Sequence, residues 1–177
     1  MVRTAAGLAD RGVSAATFDF PYITAGRHVP DRADALERSW REAIARAREA
    51  FGPLPLFIGG KSMGGRIASQ VASQGVEGLA GLIFFGYPLH PPGRPGQLRD
   101  AHLPAICEPM LFIQGTKDAF GTADEILALL PRLQRAELHP IVGGDHSFKV
   151  SGRGAPKPDA VMHGILDAAA AWIRARI

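Results

Sequence analysis

The sequence predicts an α/β fold: a doubly wound, mostly parallel sheet with helices packed against it. Three observations carry this. Short apolar runs alternate with longer amphipathic stretches. The runs are too uniformly apolar for strands with one wet face. Their order, strand then helix then strand, calls for parallel neighbours joined by right-handed crossovers. At 177 residues and 46% hydrophobic content, the chain suffices for one substantial core and not for two ordinary domains, so residues 1–177 read as a single domain.

The elements follow in order. Val2, Ala5, Leu8 and Ala9 recur at helical spacing, and Gly12 stops that helix. The β-rich run Val13 to Phe20 predicts a strand, and Pro21 to Val29 a loop. Asp31 to Phe51 predicts a helix with an acidic start, Trp40, Ile44 and Ala47 on one face, and Gly52-Pro53 as its end. Leu54 to Gly59 predicts a strand buried on both faces, followed at once by a helix from Met63 to Gln74. Further strands are expected at Gly81 to Gly86, Met110 to Gln114 and Ala136 to Val142, with helices at Ala123 to Leu133 and Asp159 to Arg176. The proline- and glycine-rich stretch Gly86 to Glu108 is too short for a multi-helix cap, so the expected site is open and has no cap domain. Val150 to Pro158 reads as a flexible surface loop.

Composition excludes several function classes. Twenty Lys and Arg against 17 Asp and Glu leave a net charge of +3, and the basic residues are scattered, so no stripe suits a nucleic acid. The single cysteine, Cys107, allows no intrachain disulfide and no cysteine-rich zinc site. No segment approaches the roughly 20 apolar residues of a membrane span, and no leader pattern opens the chain, so the expected location is cytoplasmic. No set of histidines and carboxylates has metal-ligand spacing, which predicts neither metal nor cofactor.

Gly60-Lys61-Ser62-Met63-Gly64 matches G-x-S-x-G where that pattern has mechanical meaning, between an apolar strand and a helix. A nucleophile on such a turn needs a strained backbone, and Gly60 and Gly64 are expected to remove colliding side chains. The turn sets Ser62 at the positive end of the helix and aims the Met63 amide at the oxygen that gains charge in acyl transfer. The rival reading, a phosphate loop ending in Gly60-Lys61-Ser62, fails because its first glycine would fall on Pro55 and Leu56 to Ile58 read as buried strand.

A serine needs a base, and the base needs a carboxylate. Asp118 follows the strand Met110 to Gln114, and His146 follows the strand ending at Val142, in the chain order Ser, Asp, His. Asp124 competes with Asp118, although it begins a helix where acidic residues are favoured anyway. Of six histidines, only His146 lies in a loop after the last strand, beside Gly143, Gly144 and Asp145. Tyr22, Tyr87 and His90 fall at strand ends and are candidate pocket walls.

Four ordered blocks extend the pattern: Gly59-Gly-Lys-Ser-Met-Gly-Gly-Arg66, Gly86-Tyr-Pro-Leu-His-Pro-Pro-Gly93, Gln114-Gly-Thr-Lys-Asp-Ala-Phe-Gly121 and Gly144-Asp-His-Ser-Phe-Lys149. Together they resemble small lidless α/β-hydrolases similar to dienelactone hydrolases. Animal relatives of these include a testis-expressed hydrolase-like protein and a scaffold subunit of a histone acetyltransferase complex, the NSL complex. The likeness runs from Leu8 onward and implies the α/β-hydrolase fold, ester or acyl hydrolysis of a small molecule, and a triad of Ser62, Asp118 and His146. Family members normally carry further N-terminal strands, one ending in a His-Gly-type loop that donates a second oxyanion amide. Those strands are missing here, leaving a slot between Val13–Phe20 and Leu54–Gly59. Upstream sequence, closure of the sheet, or another segment or chain, as in a homodimer, would resolve it. Two functions follow: a serine hydrolase acting on ester or thioester bonds, or a non-catalytic interaction module on the same scaffold.

Overall fold

The computed structural model describes residues 1–177 and contains one four-stranded parallel sheet. Its strands are β1 (Leu56–Lys61), β2 (Leu79–Phe85), β3 (Met110–Gly115) and β4 (Ala136–Ile141), ordered β1-β2-β3-β4. The helices are α1 (Val2–Ala9), α2 (Pro21–Thr24), α3 (Ala33–Phe51), α4 (Met63–Ser73), α5 (Ala123–Leu129) and α6 (Pro158–Arg174).

Period-two alternation divides the core between the two faces of the sheet. Leu82, Phe84, Met110 and Phe112 point to one face, where they meet Ile44 of α3, Ala68, Val71 and Ala72 of α4, and Ile126 of α5. Their neighbours Ile83, Phe85, Leu111 and Ile113 point to the other, against Ile165, Ala169, Trp172 and Ile173 of α6. The two central strands are buried on both faces, in keeping with their nearly continuous apolar sequences. Pro140 sits in β4, an edge strand, where its missing N–H costs no ladder bond on the open side.

The expected strand Val13–Phe20 does not form. The segment has no regular secondary structure: from Ser14 to Phe20 no backbone N–H donates to another strand, and β1 pairs only with β2. Val13 packs with the α6 layer and Phe20 with Tyr22, Leu36 and Ile67, so the segment passes from one face of the sheet to the other without joining it. β-rich composition reports burial of alternate side chains, whereas a strand also needs a backbone partner. The sheet has not closed around the slot. The first residues of the expected loop Pro21 to Val29 form α2 instead.

α5 begins with a capping box in which Thr122 and Glu125 satisfy each other's backbone amides. The Thr122 amide and hydroxyl, with His90 beside them, hold the Glu125 carboxyl below its usual range. The box fixes the point at which the loop after β3 must end.

Amide hydrogen exchange should separate these regions: Ser14 to Phe20 should exchange near the unprotected rate while Leu82–Phe85 and Leu111–Ile113 exchange slowest. Slow exchange at Ala15 to Phe18 would mean that the segment has found a backbone partner.

Candidate active site

The site gathers at the C-terminal edge of the sheet, where hydrogen bonding continues past each strand. The Ser62 amide donates to Phe85 O (3.2 Å), Gly86 N to Ile113 O (2.8 Å) and Thr116 N to Ile141 O (3.0 Å). Every loop therefore leaves the sheet from a fixed point. Ser62 has φ 52° and ψ −123° and stands between β1 and α4 without capping the helix through its side chain. A non-glycine residue in this region costs on the order of 1–3 kcal/mol, a strain held in place by the packing around it.

The glycines work differently from expectation. A Cβ at Gly64 would meet nothing within 4 Å, whereas one at Gly65 would lie 2.6 Å from Gly60 O. Close approach of helix to strand thus depends on Gly60 and Gly65, the residue just beyond the pattern. Trp40 Nε1 donates to Gly64 O (3.1 Å), tying α3 to the same turn.

His146 lies between Ser62 and Asp118. Its Nε2 is 2.8 Å from Ser62 Oγ and its Nδ1 is 2.8 Å from Asp118 Oδ2. Because a carboxylate can only accept, Nδ1 carries the hydrogen and Nε2 is left to accept the serine proton. Asp118 is fully enclosed; its Oδ1 accepts from Phe120 N (2.8 Å), and the Phe120 ring lies 4.2 Å from the imidazole, tilted by 32°. The loop carrying His146 is tightened by Asp145, whose Oδ1 accepts from Ser147 N and Lys149 N at 2.8 and 2.9 Å.

Two residues outside the sequence-based set join this arrangement. Gln114, with no exposed surface, shares the two hydrogens of Nε2 among three acceptors, Gly121 O (2.6 Å), Asp118 Oδ2 (3.0 Å) and Tyr87 O (3.2 Å), and accepts from Tyr87 N (2.7 Å). One polar residue ending an apolar strand was the signal available for it. Lys61 extends from the end of β1 to the His146 loop, where its Nζ donates to His146 O. Burial pushes the Lys61 ammonium below its ordinary value, and Asp118 and Asp145 partly oppose that shift.

The expected wall residues prove to be core. Tyr87 is fully buried between Phe84 and Phe112, its hydroxyl donates to Arg99 O, and burial raises its pKa to about 12. His90 is buried against Pro91 O and Glu125. Tyr22 packs on Phe20. A strand-end position does not say which way the next side chain turns, and these three turn inward. Met63 opens α4, so its amide has no acceptor within the helix and is free to donate outward.

A family model described as an alpha/beta hydrolase domain matches residues 1–174. The chain belongs to that family. Solved structures agree on the fold of this α/β-hydrolase domain. An esterase domain from Rhodothermus marinus superposes with a TM-score of 0.71 at 15% identity, covering 98% of this chain and 79% of the other. An alpha-beta serine hydrolase homologue from Coxiella burnetii gives 0.69 at 18% identity, covering 97% and 73%. No helix of the domain is long and apolar enough to cross a membrane.

Replacing Gln114 by Leu in this hydrolase domain would strand the buried Tyr87 N–H and remove a donor from Asp118. Equilibrium denaturation should show a loss of about 2–4 kcal/mol, from one or two unpaired buried groups. A loss below about 1 kcal/mol would mean that these groups find other partners.

Proposed function

We propose that the chain is a serine hydrolase that cleaves ester or thioester bonds of small acyl compounds. The observation that supports it best is the unbroken run of hydrogen bonds from Asp118 through His146 to Ser62, ending on a serine held at positive φ. In this reading His146 Nε2 takes the Ser62 proton as Oγ attacks the acyl carbon, and Asp118 holds the resulting imidazolium. The Met63 amide donates to the oxyanion. Collapse of the tetrahedral intermediate passes the proton from Nε2 to the leaving group and leaves Ser62 acylated; water then repeats the sequence and frees the acid. The resemblance to lidless dienelactone-hydrolase-like enzymes favours compact substrates, and the stretch Gly86 to Glu108 is too short to form a multi-helix cap. A cytoplasmic setting suits the exposed, unpaired Cys107.

One observation favours a second reading, a catalytically silent scaffold: the unpaired edge of β1 is a ready surface for another chain. Fluorophosphonate labelling followed by intact mass separates the two. The hydrolase reading expects one adduct, lost in Ser62→Ala and formed at least about 10³-fold more slowly in Asp118→Asn, where the imidazole tautomer is wrong. A folded chain that takes no label, or is labelled equally after Ser62→Ala, would sink the hydrolase reading.

A further inference from the structure

Lys61 occupies the variable position before the serine, a place the serine chemistry leaves unused, and it is half-buried. Two contacts are made by its ammonium, within a surround of further charges. Nζ donates to the backbone oxygen of His146. It lies 4.9 Å from the centroid of the Phe148 ring. Phe148 and Ser62 are the two non-glycine residues with positive φ, at 63° and 52°. Lys61 is bonded to one through the chain and rests on the other in space. Space for it comes from Gly86: a Cβ there would stand 2.8 Å from Nζ and 3.5 Å from His146 Nδ1. Asp118 and Asp145 supply the negative charge around it.

Elementary physics makes this an unusual use of lysine. A long side chain with high rotamer entropy is held in a partly desolvated place, where its charge is costly without compensation. The compensation is specific: a charge-assisted hydrogen bond to a carbonyl, an aromatic face and two carboxylates. The imidazole of His146 is fixed at both ring nitrogens, but those contacts orient the ring only while its backbone stays put. The bond from Lys61 is the link between that backbone and the strand that carries Ser62. The charges also balance in a useful sense: one ammonium and two carboxylates leave a single net negative charge, which an imidazolium at His146 would neutralise.

We propose that Lys61 is a positioning residue that clamps the base-bearing loop to the nucleophile strand, acting through its ammonium on the His146 carbonyl. The proposal rests on the serine hydrolase reading for its effect on rate, but not for its effect on the loop. It is tested in a Cys107→Ser background, because Cys107 is exposed and would otherwise react. Lys61→Cys is alkylated in denaturant with bromoethylamine or with iodoacetamide and refolded, giving side chains of similar length with and without the ammonium. Lys61→Met is a neutral variant that needs no refolding.

Two readouts are taken on each form: the rate of fluorophosphonate labelling at Ser62, with kcat and KM where an ester is turned over, and amide exchange at Phe148 and Lys149. Lys61→Met and the iodoacetamide form should label about tenfold or more slowly, as loss of one charge-assisted bond implies, with the loss in kcat rather than KM, and should exchange faster at both amides. Aminoethylation should restore labelling and protection together. Recovery with the neutral cap, or unchanged exchange in Lys61→Met, would overturn the proposal, since packing alone would then suffice. If the parent chain takes no label, the hydrolase reading fails, while exchange still decides whether Lys61 clamps the loop.

Discussion

Parallel pairing is the constraint on which the rest of this molecule depends. In a parallel sheet the carboxyl ends of all strands lie on one edge, so loops far apart in sequence must meet there. Here β1 delivers Ser62, β2 delivers Gly86, β3 delivers Asp118 and β4 delivers His146. Backbone bonds that continue one or two residues beyond the strands set the starting point of each loop. A shift of one residue in any register would move a functional side chain by about 3.3 Å, more than a hydrogen bond tolerates. The burial of β2 and β3 on both faces therefore does more than stabilise the core; it fixes that register.

Rigidity at that edge comes from polar groups rather than from apolar packing. Gln114 joins Tyr87 in the loop after β2 to Asp118 and Gly121 in the loop after β3, and Asp118 receives bonds from a side-chain amide, a backbone amide and an imidazole. Gln114 and Asp118 are buried, so leaving either unpaired is costly, and this makes alternative arrangements of the loops unfavourable. Phe120, two residues after Asp118 in the same turn, covers the imidazole with its ring. The turn thus supplies both the polar partner and the apolar face of His146. Its far end is closed by the Thr122–Glu125 box, which stops the loop from lengthening at the expense of α5.

Much of this is legible in the sequence, and the exceptions have a common cause. Alternating strands and helices, the turn around Ser62 and the loop positions of Asp118 and His146 are local properties, expressed in spacing, glycine placement and apolar runs. Val13–Phe20 carries the local signature of a strand, but pairing is decided by what lies alongside, and nothing lies alongside. The roles of Gln114 and Lys61 were equally hidden, because each is defined by partners more than 20 residues away, Tyr87 and His146 respectively. The burial of Tyr87 and His90 is hidden from sequence for the complementary reason. Sequence places a residue at the end of a strand, while the packing of Phe84, Phe112 and Glu125 decides whether its side chain faces inward.

The two strained residues show how such partners convert fold stability into site geometry. Ser62 and Phe148 both sit at positive φ, and a branched or bulky side chain there is held only if its surroundings leave no alternative. For Ser62 the surroundings are the ladder bond to Phe85 and the close approach of Gly65 to Gly60. For Phe148 they are the apolar layer beneath α6 and the hydrogen bond that its amide donates to Asp145 O. The first strain points an oxygen away from the helix, and the second folds the loop back so that His146 reaches it. Both are supported by the same sheet. Loosening the α6 layer should therefore disturb the His146 side of the pair before the Ser62 side, because Phe148 belongs to that layer and Ser62 is braced from the opposite face by α3 and α4.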